Sequence, residues 1–137
     1  MNIESVYPKV TDIVADTLAI DKAQIKPESG LVQDLGAESI DFLDLIFRLE
    51  REFNVKIPRG VIEKEARGSL SDAEFEKNGV ITDAGIKIIK QFLSEVPEQR
   101  FKPNLKVAEI PTLFTVTTLC KFVLNAQTRE AANTTSA

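Results

Sequence analysis

Histidine is missing from this 137-residue chain, and cysteine occurs once, at Cys120. Without histidine there is no Ser-His or Cys-His nucleophile and no imidazole to hold a metal. A lone cysteine excludes a disulfide framework and a Cys-x-x-Cys site. There is no phosphate-cradling P-loop and no Gly-x-Gly-x-x-Gly fingerprint. In Gly36-Ala37-Glu38-Ser39 the glycine stands three residues before the serine, which is not the Gly-x-Ser-x-Gly elbow of hydrolases. Most routes to an enzyme are therefore closed, and a non-enzyme is expected. No apolar run approaches the ~18 residues of a membrane span. The opening Met1-Asn2-Ile3-Glu4 lacks the basic-then-apolar layout of a secretory leader, so the expected location is cytoplasmic.

What remains has the composition of an ordinary globular protein, with 43% hydrophobic and 28% charged residues. The length suits one domain with its own core. The charge is uneven. Residues 1–60 hold 11 acids and 7 bases, and residues 61–137 hold 10 of each. The net charge of −4 thus belongs to the first half. Such a chain suits no nucleic acid but does suit a basic protein partner. It is expected to be a monomer.

Helical periodicity marks four segments. Ile3, Tyr7, Val10, Ile13, Val14 and Leu18 predict a first helix, with Ser5 as cap and Pro8 in the first turn. Residues 21–38 contain Pro27, Gly30 and Gly36 and read as a long loop pinned by Ile25, Leu31, Val32 and Leu35. A second helix is predicted from about Ser39 to Phe53, with a wide apolar face. A short helix over residues 59–66 follows, stopped by Gly68. Ser71-Asp72-Ala73-Glu74 offers a capping box. Residues 82–96 predict another helix, weakened by Gly85. Residues 97–111 read as a proline-rich connector. Thr115 is a cap for the last helix, which carries Val116, Leu119, Cys120, Val123 and Leu124. Nothing alternates strongly enough to predict a strand. The expected fold class is all-α, with one domain over residues 1–126, an extended region over 58–111, and a disordered tail from 127.

Ser39 lies at a predicted helix mouth, between Glu38 and Asp41, with Asp44 one turn further on. A serine there is ordinarily a cap. It is also a place where a phosphate-linked group would meet the positive end of a helix. Lacking its own base, Ser39 would need a second protein to activate it. That describes the substrate of a modifying enzyme. Acids crowded around Ser39 should repel one another, so added Mg²⁺ is expected to raise the melting temperature. Asp41 and Asp44 read as a solvated face, not a specific metal site. Cys120 reads as a small core residue.

The run Asp34-Leu35-Gly36-Ala37-Glu38-Ser39-Ile40-Asp41-Phe42-Leu43-Asp44-Leu45, continuing from Leu49 to Ile57-Pro58, resembles the acyl carrier protein family. The family's Asp-Ser-Leu-Asp motif after a glycine reads Glu-Ser-Ile-Asp in this chain. Residues 3–58 carry the resemblance, and it resumes at residues 115–123. It implies an acyl-carrier-like four-helix bundle, with one or two extra helices inserted before the last. It also implies that a phosphopantetheinyl transferase moves 4′-phosphopantetheine from coenzyme A to Ser39. The arm's thiol would then hold acyl intermediates as thioesters for fatty-acid or specialised lipid biosynthesis. Basic patches on partner enzymes would dock on Glu38, Asp41, Asp44, Glu50 and Glu52. Arg48 and Arg51 depart from the usual acidic pattern.

Phe42-Leu43-Asp44 and Gly68-Ser69-Leu70-Ser71 are similar to the specialised carrier for very-long-chain acyl groups of lipid A. The extended region has two readings: a neutral insertion, or a widened bundle that houses a long chain. In the second, the chain would thread among Phe42, Leu43, Ile46, Phe47, Ile88 and Phe92. The competing function is a carrier-like interaction module without a prosthetic group.

Overall fold

Val6, Val10, Thr11 and Val14 line the buried side of α1 (Ile3–Leu18), spaced so that one face of the helix is apolar. The computed structural model describes residues 3–57, 64, 67–101 and 104–135, without the side chains of Ser39, Asp72, Pro111 and residues 129–135. Ser5 lies inside α1 rather than at its cap, and Pro8 falls in its second turn. After a 3-10 turn at Lys22–Gln24 the long loop leads to α2 (Ser39–Phe53). Asn54 closes α2 in the left-handed region, φ 52°, a conformation asparagine tolerates.

The predicted helix over residues 59–66 lies outside the described residues except at Lys64, which is helical. The Ser71–Glu74 capping box forms as expected: Ser71 N–H donates to Glu74 at 3.1 Å and Glu74 N–H to Ser71 Oγ at 3.3 Å. It opens the single turn α3 (Asp72–Phe75).

Two strands then correct the strand-free expectation. β1 (Glu76–Lys77) pairs antiparallel with β2 (Val80–Ile81). Asn78 and Gly79 connect them with φ of 55° and 82°, the positive-φ pair that a tight hairpin requires. The segment near Lys106 returns to β2, with Ile81 N–H donating to Leu105 O at 2.8 Å and Val107 N–H to Gly79 O at 2.9 Å.

α4 (Asp83–Phe92) is capped by Thr82, whose side chain accepts from Gly85 N–H. Gly85 is a packing requirement and not a weakness. A Cβ there would lie 2.5 Å from the Phe75 carbonyl oxygen and 2.7 Å from Ile81 Cγ2, closer than atoms can pack. Two further 3-10 turns, at Glu98–Arg100 and Val107–Leu113, lead to α5 (Val116–Thr135). Thr115 caps α5, its Oγ1 accepting from Thr118 N–H at 3.2 Å. The helix runs to Thr135, through residues 127–135 of the expected tail.

The fold is all-α apart from the small hairpin. α5 packs against α1, and α2 against α1 and α5. Ile89, Leu93 and Leu105 of the extended region join Leu31, Leu45, Leu49, Val116 and Leu119 in one buried cluster. The extended region therefore contributes to the same core as the helices around it.

Candidate functional site

The turn before α2 is built backbone first. Asp34 and Leu35 N–H both donate to Gly30 O, and Ala37 N–H to Leu31 O at 2.8 Å. Leu31 is fully buried and anchors the turn. The loop is also stitched to the start of α5: Leu31 N–H donates to Phe114 O at 2.9 Å and Val116 N–H to Ser29 O at 3.1 Å. These bonds satisfy backbone groups that a loop would otherwise bury unpaired. Gly36 has φ +76° with open space around it, a bend that favours glycine.

Ser39 is the first helical residue, and Glu38 is the cap. Asp41 accepts the Glu38 N–H at 2.8 Å, and a reciprocal capping box joins the two. The expected cap is thus displaced by one residue, and the capping work belongs to its neighbours. Glu38 and Ile40 on either side of Ser39 are exposed. A helix N-terminus with open surroundings has the polarity and room to take a phosphodiester.

The acids assigned to docking are more engaged than expected. Asp41 is in the box. Asp44 accepts from Arg48 Nε at 3.3 Å, and Arg48 also bridges to Asp16 of α1. These two carboxylates, Asp16 first, raise the Arg48 pKa. Glu50 accepts the Ile57 N–H at 2.7 Å and so shapes the exit from α2. Glu52 meets Lys9 of α1 at 3.5 Å. Among the described residues no group of three acids is placed to share a cation. Of these acids Asp44 and Glu52 have a cation partner, whereas Asp41 and Glu50 accept backbone N–H groups and keep their charge. Asp34 is held below the usual carboxylate range by the Gly30 N–H, an effect partly opposed by burial and reinforced by the Arg100 guanidinium.

The residues expected to line an acyl cavity separate into two sets. Leu43 and Phe47 are 55% and 61% exposed, and Ile40 is 71% exposed. They stand at i, i+3 and i+7 on one outer face of α2, so Leu43 and Phe47 do not line the interior. Phe42 and Ile46 are partly buried against the core. Phe42 meets Phe114 edge-on at 6.1 Å, Phe114 meets Phe122 edge-on at 5.3 Å, and Phe122 stacks on Phe92 at 6.1 Å. This series of four rings runs from α2 to α4. Ile88 is half-buried and lies over Gly68 instead.

Sequence reading missed the exposed stripe, although the width of the α2 apolar face was its signal. It also missed Arg100, whose Nη2 lies 3.1 Å from Asp34 across 66 residues of sequence. No local pattern marks such a pairing.

Fold and site together define a helical fold with a serine opening its second helix. The family model described as the phosphopantetheine attachment site matches residues 8–72. The acyl carrier protein AcpXL of Rhizobium meliloti (strain 1021) is 42% identical over 76 residues, which is 55% of this chain and 80% of that protein. AcpXL of Rhizobium etli is 44% identical over 70 residues, covering 50% of this chain and 76% of the relative. An acyl carrier protein of Clostridium acetobutylicum is 49% identical over 59 residues, 43% of this chain and 77% of its own. The chain belongs to the acyl carrier protein family, and the matching model is that family's attachment site for phosphopantetheine.

Proposed function

We propose that Ser39 bears the phosphopantetheine arm and that the loaded protein presents acyl thioesters to enzymes of specialised lipid synthesis. The observation that carries this reading is the start of α2. A clamped turn, an open Gly36 and a Glu38–Asp41 box place Ser39 first in the helix without assigning it the capping role. Attachment forms a bond from the Ser39 oxygen to the phosphorus of coenzyme A's pantetheine phosphate. It breaks the pyrophosphate link and releases adenosine 3′,5′-bisphosphate, and the serine proton passes to the transferase. The bound arm supplies a terminal thiol for thioester formation. The chain carries rather than catalyses.

Ile40, Leu43 and Phe47 form the apolar centre of a docking face rimmed by Glu38 and Asp44. A transferase or acyl-transfer enzyme with an apolar patch among basic residues fits it. An acyl chain directed from α2 toward α4 would have to displace the ring contacts between Phe42 and Phe92. The likeness to two AcpXL proteins favours a very long chain.

Incubation with coenzyme A and a competent transferase tests the reading by intact-mass spectrometry. One phosphopantetheine adduct is expected on the wild type and none on Ser39→Ala. An unmodified wild type would sink it and favour a carrier-like interaction module without a prosthetic group.

A further inference from the structure

The extended region reaches the serine-bearing turn through the Arg100 side chain. Asp34 Oδ2 accepts the Gly30 N–H at 2.7 Å and the Arg100 Nη2–H at 3.1 Å. The guanidinium also lies close over Gly30. A Cβ on Gly30 would come within 2.3 Å of Arg100 Nη1. The Arg100 side chain is 21% exposed and that of Asp34 45%, so the pair is partly withdrawn from water. Gly30 is the residue whose carbonyl gathers the Asp34 and Leu35 N–H groups. Arg100 thus braces both ends of the turn that leads into Ser39.

We propose that Arg100 is a positioning residue for the loading reaction, through which the extended region sets the register of Ser39 for the transferase. This rests on Ser39 as the attachment site. Arg100 contacts Asp34 and Gly30 of the loop and not a residue of the proposed docking stripe, so its loss should act on turnover more than on KM.

The test measures phosphopantetheine transfer to four variants of the 137-residue chain. Arg100→Gln keeps the side-chain stem and removes the charge. It should lower kcat about five-fold with KM changed less than two-fold, and Arg100→Lys should recover part of the loss. Gly30→Ala needs no unusual backbone angle but pushes the guanidinium aside, so it should reproduce the Arg100→Gln effect. Gly30→Ala combined with Arg100→Gln should be no worse than either alone. A wild-type rate in Arg100→Gln, or losses that multiply in the double variant, overturns the proposal.

Amide exchange in the unmodified protein separates this idea from the attachment reading. Arg100→Gln should speed exchange at Gly30 and Ala37 even if Ser39 proves not to be the attachment residue. Unchanged exchange there counts against the brace.

Discussion

Cys120 lies on the inner side of α5 with no exposure. Burial among apolar neighbours disfavours the thiolate and pushes the thiol from 9.0 up to about 12. Between those values the unfolded chain ionises while the folded one does not. Stability is unaffected by this group below that window and falls as pH rises through it. Cys120→Ala should flatten that alkaline slope in a series of thermal melts. Reactivity follows the same physics, since the thiolate is the nucleophile. At pH 8 an aromatic disulfide reagent should leave the folded, unloaded protein unlabelled and react with one thiol after denaturation. The loaded protein should show one fast thiol, on the arm. Rapid labelling of folded Ser39→Ala would contradict the buried assignment.

At the scale of an element, α2 has two apolar faces in different surroundings. Leu45 and Leu49 are fully buried, whereas Ile40, Leu43 and Phe47 face solvent. Exposed apolar positions grouped on one helix face mark contact surfaces. Replacing Leu43 and Phe47 by serine should change stability by about 0.5 kcal/mol or less in urea unfolding. The same pair should lower kcat/KM for the transferase by about ten-fold or more, mainly through KM. A normal KM in a well-folded variant would remove the docking role. The broad face of α2 was legible in the sequence. Which part faces outward was not, because periodicity gives directions around a helix and not what stands opposite them.

For the whole molecule, the extended region is joined to α5 by a half-buried cluster. Thr118 donates to Glu95, and Lys121 Nζ lies 2.7 Å from both Glu95 Oε1 and the Phe92 carbonyl. The Glu95 side chain is 12% exposed, and Thr118 is fully buried. Glu95→Ala would leave a buried hydroxyl and a partly buried ammonium short of a partner. About 2 kcal/mol of stability should be lost, read from urea unfolding, with α4 amides exchanging faster than those of α1. Uniform loss of protection across both helices would show that the cluster does not act locally.

The chain's own chemistry determined what is local or forbidden. Missing histidine excluded a self-sufficient serine nucleophile. Periodicity marked the major helices. Ser71–Glu74, Thr82 and Thr115 announced helix starts, because capping needs only neighbours within a turn. The Gly36–Asp41 run pointed to the helix mouth at Ser39. Asn78-Gly79 was a legible hairpin signal, but two-residue strands are too short to alternate visibly. Tertiary structure decided the rest. It put Glu38 rather than Ser39 in the cap position, turned Leu43 and Phe47 outward, and brought Arg100 onto Asp34. Those outcomes depend on how helices pack and which distant segments meet. Loop closure over tens of residues leaves no mark on local spacing.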